Sequence, residues 1–375
     1  MSLEPIQVQE LVHKIIRQEE IHLLDIRREN DVHDWAIEGE QIYSVHKTLS
    51  EIQENPEQVM TMLPSDKPVY VVCYKGISAQ KATAILREQG MDHVTYLVGG
   101  MGAWGEHLQP IKVADLQQSG AIYQFVRMGK GCLSYMIVSG QEAVVIDASR
   151  MVDVYLSFAN EHGIIIKDVI DSHLHADHIS GGRMLAEEVG ATYWFPPEEE
   201  HVQFDHALLE DGTIFSLHNA TVSIRAVHTP GHTIGSTSFL IDNQFLLTGD
   251  TLFIQSIGRP DLAGKANEWT SLLYKSLYDT IPSIPHEVHI LPTHFSSLDE
   301  LKENGAVYAT KNSIYDSNYR LNLESYQAFE NMVANNLPDQ PNSYQQIRKI
   351  NMGQQSADQS EWQTIEAGPN RCAVR

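Results

Sequence analysis

The chain has 375 residues, 42% of them hydrophobic, with 26 basic against 49 acidic side chains and a formal charge of -23. The length suggests two domains, or one with an extension. No apolar run approaches the roughly 18 residues of a membrane helix, and an acidic chain without a basic run repels nucleic-acid phosphates.

Three widely spaced cysteines make no disulfide framework, so a reducing, cytoplasmic setting is expected. The N-terminus carries neither the pattern of a secretory signal nor that of a transit peptide. Glu4 to Glu20 places Ile6, Leu11, Ile15 and Ile16 at helical spacing. Ile21 to Ile26 reads as a strand, and Val69 to Cys73 as a wholly apolar one. Ala79 to Glu88 reads as a helix stopped by Gly90. Strands alternating with helices imply a small α/β unit with a mainly parallel sheet.

Cys73 closes the central strand just before a loop that opens a helix. Backbone N–H groups and the helix N-terminus favour an anionic sulfur there. Together with Leu24-Asp25-Ile26-Arg27 and Gly99-Gly-Met-Gly-Ala-Trp104, the loop Cys73-Tyr-Lys-Gly-Ile-Ser78 resembles that of a single rhodanese (sulfurtransferase) domain over residues 1–110. The resemblance implies that Cys73 carries a persulfide sulfur, cradled by a loop that includes Lys75, Gly76 and Ser78. Many members carry arginine where Ser78 stands, and the stretch Ala36 to Glu40 departs from the usual His-Ile-Pro-Gly-Ala. These departures imply a retained but altered acceptor preference, with a catalytically quiet domain as the alternative, and make Lys75 a candidate to supply part of the missing positive charge.

Gln109 to Gly120 has weak periodicity, which places a linker near 110–117. Strands are expected over Ala121–Arg127, Leu133–Val138 and Ala143–Asp147, then a helix over Met151–His162 and a strand over Gly163–Ile170. Cys132 opens a β-run and reads as core packing. Asp171-Ser-His-Leu-His-Ala-Asp-His178 follows, holding His173, His175, Asp177 and His178 on a loop braced by a short helix that Gly190 closes. Three further strand ends deliver His232, Asp250 and His294, whereas His228 reads as structural.

Four successive strand-end deliveries of metal-binding side chains resemble the metallo-β-lactamase fold, a four-layer αββα sandwich, from residue 118 to about 300 within a second domain of residues 118–375. Gly258-Arg-Pro-Asp261, Asn336-Leu-Pro338 and Asn370-Arg-Cys-Ala-Val374 resemble segments of the persulfide dioxygenases (sulfur dioxygenases) within it. That resemblance implies one Fe(II) per chain, with Zn(II) as the alternative, held by His173, His232 and Asp250. His175, Asp177, His178 and His294 become outer-shell or second-metal residues, Arg259 a carboxylate clamp for the thiol carrier, and Cys372 a neighbour of the site. The implied partners are a small-molecule thiol persulfide such as glutathione persulfide, dioxygen, and sulfite or thiosulfate, with no nucleic acid and no membrane. The implied reaction oxidises the persulfide to sulfite and thiol, coupled through Cys73 to thiosulfate. Two alternatives stay open: a glyoxalase II-like binuclear thioester hydrolase, and a non-catalytic persulfide carrier or sensor. The carrier thiol and the oligomeric state, a homo-oligomer included, are left open, and Pro341 to Trp362 reads as a polar, Gln-rich insertion.

Overall fold

The structure is a computed structural model that describes residues 3–374 except 118, 198, 200, 201, 219–221 and 342. In the N-terminal part β1 (Ile21–Asp25), β2 (Ile42–His46), β3 (Val69–Val72) and β4 (Val94–Tyr96) form a parallel sheet in the order β2-β1-β3-β4. Alternate residues of β3 face opposite ways. Val69 and Val71 pack with Ile52, Ala82 and Leu86, while Tyr70 and Val72 pack with Val8, Leu11 and Trp104. Both faces are therefore covered by helices, as parallel sheets require. The first helix is shorter than its periodicity suggests and runs Val8–Ile16.

The expected linker is a strand. Of the segment Gln109–Asp115 (β5), Ile111 and Val113 are buried and Lys112 is exposed, and β5 pairs antiparallel with its successor. An edge position tolerates Pro110. Residue 118, where the second domain was expected to begin, lies outside the described residues. From β5 the chain builds β6 (Ala121–Arg127), β7 (Cys132–Ser139), β8 (Glu142–Ile146), β9 (Ile165–Ile170), β10 (Thr192–Phe195) and β11 (Ala207–Leu208), seven strands in simple sequential order. A second sheet holds β12 (Ile214–Leu217), β13 (Val222–His228), β14 (Thr237–Ile241), β15 (Phe245–Leu247), β16 (His289–Leu291) and β17 (Ala309–Thr310).

Alternation along β7 shows the layering. Leu133, Tyr135 and Ile137 face Ala226, Phe239 and Leu247 of the second sheet, whereas Met136 and Val138 face Tyr155 and Phe158 of the helix Val152–His162. On the far side, Leu240, Leu246 and Ile290 lie against helical Leu273, Ile314 and Phe329. Helix, sheet, sheet and helix thus stack as the expected αββα sandwich.

The inner core does not stop at the junction. Leu11, Met101 and Trp104 of the N-terminal part belong to the same buried cluster as Ile111, Val126 and Phe215. Trp35 Nε1 donates to the Gly129 carbonyl at 2.6 Å, and Arg127 Nε to that of Gly105 at 2.7 Å. The polar stretch after 341 folds as two helices, Ser343–Asn351 and Gln359–Ile365. Among the described residues no helix is long and apolar enough to cross a membrane.

Candidate functional site

Four strand ends converge on one edge of the sandwich. β9 leads into Asp171–His178, β13 into Pro230-Gly231-His232, β15 into Thr248-Gly249-Asp250, and β16 into Pro292-Thr293-His294. Gly258 shows how tightly these turns pack. A Cβ there would lie 1.7 Å from the Asp250 carbonyl oxygen, so only glycine lets this segment lie against the turn that carries Asp250.

Each histidine is held by one ring nitrogen and left bare on the other. Ser172 Oγ donates to Asp147 Oδ2 at 2.9 Å and so accepts from His173 Nδ1 at 2.9 Å. His232 Nδ1 donates to the Arg259 carbonyl at 2.9 Å, and His294 Nδ1 to that of Gly131 at 3.2 Å. His178 Nδ1 meets Asp177 Oδ1 at 2.9 Å, and His175 turns the other way, its Nε2 3.2 Å from Asp147 Oδ1. The opposite nitrogens of all five rings are buried without a hydrogen bond, as is Asp250 Oδ2. Five imidazoles in tautomers that aim bare lone pairs inward are arranged for a metal, and the anchors behind them are of the kind that orient ligands.

His173, His232 and Asp250 form one compact donor set: Asp250 Oδ2 lies 3.7 Å from His173 Nε2 and 3.2 Å from His232 Nε2. Beside it, His294 Nε2 is 3.1 Å from Asp250 Oδ1 and 3.7 Å from Asp177 Oδ2. His175 groups with Asp177 and His178, and with Asp147 and Asp171. Burial opposes charge on Asp250, yet His294, His232 and His173 hold its carboxyl well below the usual carboxylate range. Burial, reinforced by His175, pushes His173 well below its ordinary value, which keeps that imidazole neutral and able to coordinate.

Two of these residues carry no sequence signal. Asp147, at the end of β8, holds the amide of Ser172 at 2.7 Å as well as its hydroxyl and His175, from a left-handed φ of 58° that aspartate tolerates. Cys132, expected as plain core, puts its Sγ 3.2 Å from Asp177 Oδ2.

Arg259 differs from its expected role. Its Nε and one terminal nitrogen fork onto Asp261 at 2.7 and 2.9 Å, and the other edge donates to the carbonyls of Arg371 at 3.0 Å and Pro338 at 2.6 Å. Both edges that could clamp a carrier carboxylate are taken by the chain itself. The guanidinium instead ties together three segments singled out in the sequence, around 258–261, 336–338 and 370–374. Arg259 N donates to the Cys372 carbonyl at 2.9 Å, and Cys372 is fully buried within reach of Asp250 and His294.

The expected insertion roofs this site. Asn351 Nδ2 donates to the carbonyls of His175 at 2.9 Å and His178 at 2.8 Å, and its Oδ1 accepts from Ser180 N at 3.0 Å. Glu366 accepts from Ile179 N, from Arg127 at 2.7 Å and from Arg150 at 2.9 Å. His228, as expected, is structural, bonded to the Ile234 carbonyl at 2.9 Å.

In the N-terminal part, Cys73 Sγ accepts from the amides of Gly76 at 3.1 Å and Ala79 at 3.3 Å, the cradle expected of the loop. Gly76 adopts φ 82° as the cap of the helix Ile77–Glu88. Gly100, at φ 57°, lets its backbone meet the Cys73 carbonyl, where a Cβ would come within 2.0 Å. Lys75 is exposed and Ser78 half-buried, so the contacts made to the sulfur come from the backbone. Asp25 and Arg27 form a buried pair at 2.7 Å.

Residues 127–304 match the metallo-beta-lactamase superfamily, and residues 8–107 match the rhodanese-like domain. A hydroxyacylglutathione hydrolase of Shewanella pealeana is 27% identical over 219 residues, 58% of this chain and 73% of the relative. A metallo-beta-lactamase structure from Staphylococcus aureus superposes with a TM-score of 0.56 at 24% identity, covering 64% of this chain and 74% of that one. ETHE1 from Myxococcus xanthus superposes with a TM-score of 0.54 at 23% identity, covering 62% and 99% respectively. At these identities the structures speak for the fold.

Proposed function

We propose that this chain, a rhodanese domain followed by a metallo-β-lactamase domain, is an iron-dependent persulfide dioxygenase fused to a thiosulfate sulfurtransferase. The observation that carries the reading is the compact set of two imidazoles and one carboxylate, His173, His232 and Asp250, with their facing atoms bare. Such a donor set suits non-haem Fe(II), which supplies the redox chemistry dioxygen needs while leaving positions open for substrate.

The chain's own residues keep that set in register. Ser172 and Asp147 fix the His173 ring, the Arg259 carbonyl fixes His232, and the Thr293 hydroxyl donates to Asp250 Oδ1, leaving Oδ2 for the donor set. The buried surroundings limit water around a reactive sulfur. The overall reaction balances as RSSH + O2 + H2O giving RSH, sulfite and two protons. At the second centre, a persulfide on Cys73 passes its outer sulfur to sulfite. The outer S–S bond breaks, thiosulfate forms and the Cys73 thiolate returns, with the loop amides of Gly76 and Ala79 facing the sulfur throughout.

A hydrolase reading has its own support. Asp177, His178 and His294 adjoin the first set, and a relative bears the name hydroxyacylglutathione hydrolase. Anaerobic metal analysis and oxygen-electrode traces with glutathione persulfide separate the two. The dioxygenase predicts about one iron per chain and oxygen uptake abolished by His232→Ala. Two zinc ions and no uptake would overturn it in favour of the hydrolase.

A further inference from the structure

We propose that the cleft between the two domains binds the carboxylate-bearing thiol that visits the metal domain, with Lys130 and Arg371 as its anion-binding residues. This rests on the reading that a thiol carrier comes to the metal domain, which the dioxygenase and the hydrolase share, and adds where the carrier sits and what holds it. Arg259, expected as the carboxylate clamp, has both edges taken by the chain. A carrier carboxylate must find its cation elsewhere.

The cleft has a volume of about 650 Å³, within the range of small-molecule sites. Trp35, Ile37 and Glu38 of the N-terminal domain form one wall, and Lys130, Phe295 and Arg371 form the other. A second cavity of about 280 Å³ adjoins it, sharing Asp34, Lys130, Pro369 and Arg371 and adding Tyr344. The ion pair of Arg371 with Asp34 stands where the two meet.

Both cations keep unused donors. Lys130 is only 4% exposed. Its ammonium donates to the carbonyls of Glu366 at 2.8 Å and Gly368 at 3.2 Å, and its third N–H has no partner among the described residues. The Arg371 guanidinium meets Asp34 through Nη2, while its Nε and Nη1 have no partner among the described residues. A buried ammonium one hydrogen bond short and a guanidinium with donors to spare are what a carboxylate completes.

The same segment leads to the metal-binding side chains. Cys372, next in the chain, has its Sγ within 4.8 Å of donor atoms of Asp250 and His294 and 3.7 Å from the Tyr344 hydroxyl. The anionic end of a carrier at Arg371 is thus one residue along the chain from a contact of that set. Acidic side chains decide the ligand class. Asp34, Glu38 and Asp299 also line the cleft, where they repel a carrier bearing several phosphates and accept one that pairs its carboxylates with an ammonium. A zwitterionic amino-acid or peptide thiol fits; a phosphate-bearing thiol does not.

The probe is S-methylglutathione, whose blocked sulfur neither coordinates a metal nor exchanges with Cys73. It is titrated by calorimetry into the full-length protein, beside desulfo-coenzyme A as the phosphate-bearing comparison. The wild type is expected to bind S-methylglutathione and to bind desulfo-coenzyme A far more weakly. Arg371→Gln should weaken S-methylglutathione binding by roughly 10- to 100-fold, and Arg371→Lys should restore part of it. The Arg371 amide donates to the Tyr344 hydroxyl at 2.7 Å and its carbonyl accepts from Arg259 at 3.0 Å, so these replacements leave the backbone ties of the segment in place. Lys130→Gln should weaken binding likewise; if it fails to fold, the Arg371 pair decides. No binding by the wild type, binding unchanged by Arg371→Gln, or desulfo-coenzyme A bound as tightly as S-methylglutathione overturns the site. Calorimetry needs no turnover: a chain that binds the probe but takes up no oxygen with glutathione persulfide keeps the cleft and loses the dioxygenase.

Discussion

Asp147 is the residue on which the candidate metal-binding loop rests. One carboxylate receives the Ser172 amide and hydroxyl and faces His175, so it sets the tautomer of His173 through Ser172. Asp147→Asn keeps the shape and tolerates the left-handed backbone, but it exchanges one acceptor oxygen for a donor. Metal affinity is expected to fall by roughly 10- to 100-fold while the fold persists, measured by competition with a chelator and by circular dichroism. Unchanged affinity would mean that Ser172 positions His173 without help. No local pattern marks this role, because Asp147 is an aspartate closing a strand, 25 residues from the serine it serves.

At the level of elements, what was legible was what is local. The run from His173 to His178 and the strand ends carrying His232, Asp250 and His294 are short patterns, the N-terminal α/β unit follows from strands alternating with helices, and the four-layer sandwich was implied by the resemblance those strand ends carry. What was illegible depends on distance. Cys132 meets Asp177 across 45 residues and Arg127 meets Glu366 across 239, and no window holds both partners. The helix Ser343–Asn351 is the clearest case, since a glutamine-rich stretch gives little apolar signal although its Tyr344 and Ile347 are buried. That helix fastens the histidine loop through Asn351. Asn351→Ala removes three hydrogen bonds and leaves the carbonyls of His175 and His178 short of a donor. A loss on the order of 1–3 kcal/mol is expected, read as a lower denaturant midpoint. Stability within error of the wild type would show the roof to be merely adjacent.

On the scale of the molecule, the two domains share one apolar core and one buried charge network. Burial opposes ionisation of Glu366, but Arg127, Arg150 and Lys130 bring its carboxyl from 4.5 down to about 2. A lowered pKa means that its contribution is fully present above about pH 4.5 and is lost as pH falls through about 2, on the order of 3 kcal/mol at most. Calorimetry is therefore expected to show one transition for both domains near neutral pH. Its midpoint should fall on acidification through that window, and Glu366→Gln should be less stable at neutral pH and flatter across the acid range. Two separated transitions at neutral pH, or an acid arm unchanged by Glu366→Gln, would refute this coupling.

Only His107 and Leu108 lie between the helix Gly100–Glu106 and β5, and two residues are no tether. On the proposed function, a sulfur loaded on Cys73 would have no such tether to carry it to the candidate metal site. Exchange between the two sites would then go through dissolved molecules, exposed to any scavenger in the surrounding solution. What the single chain does fix is number: one sulfur-facing loop and one candidate metal site for every copy made.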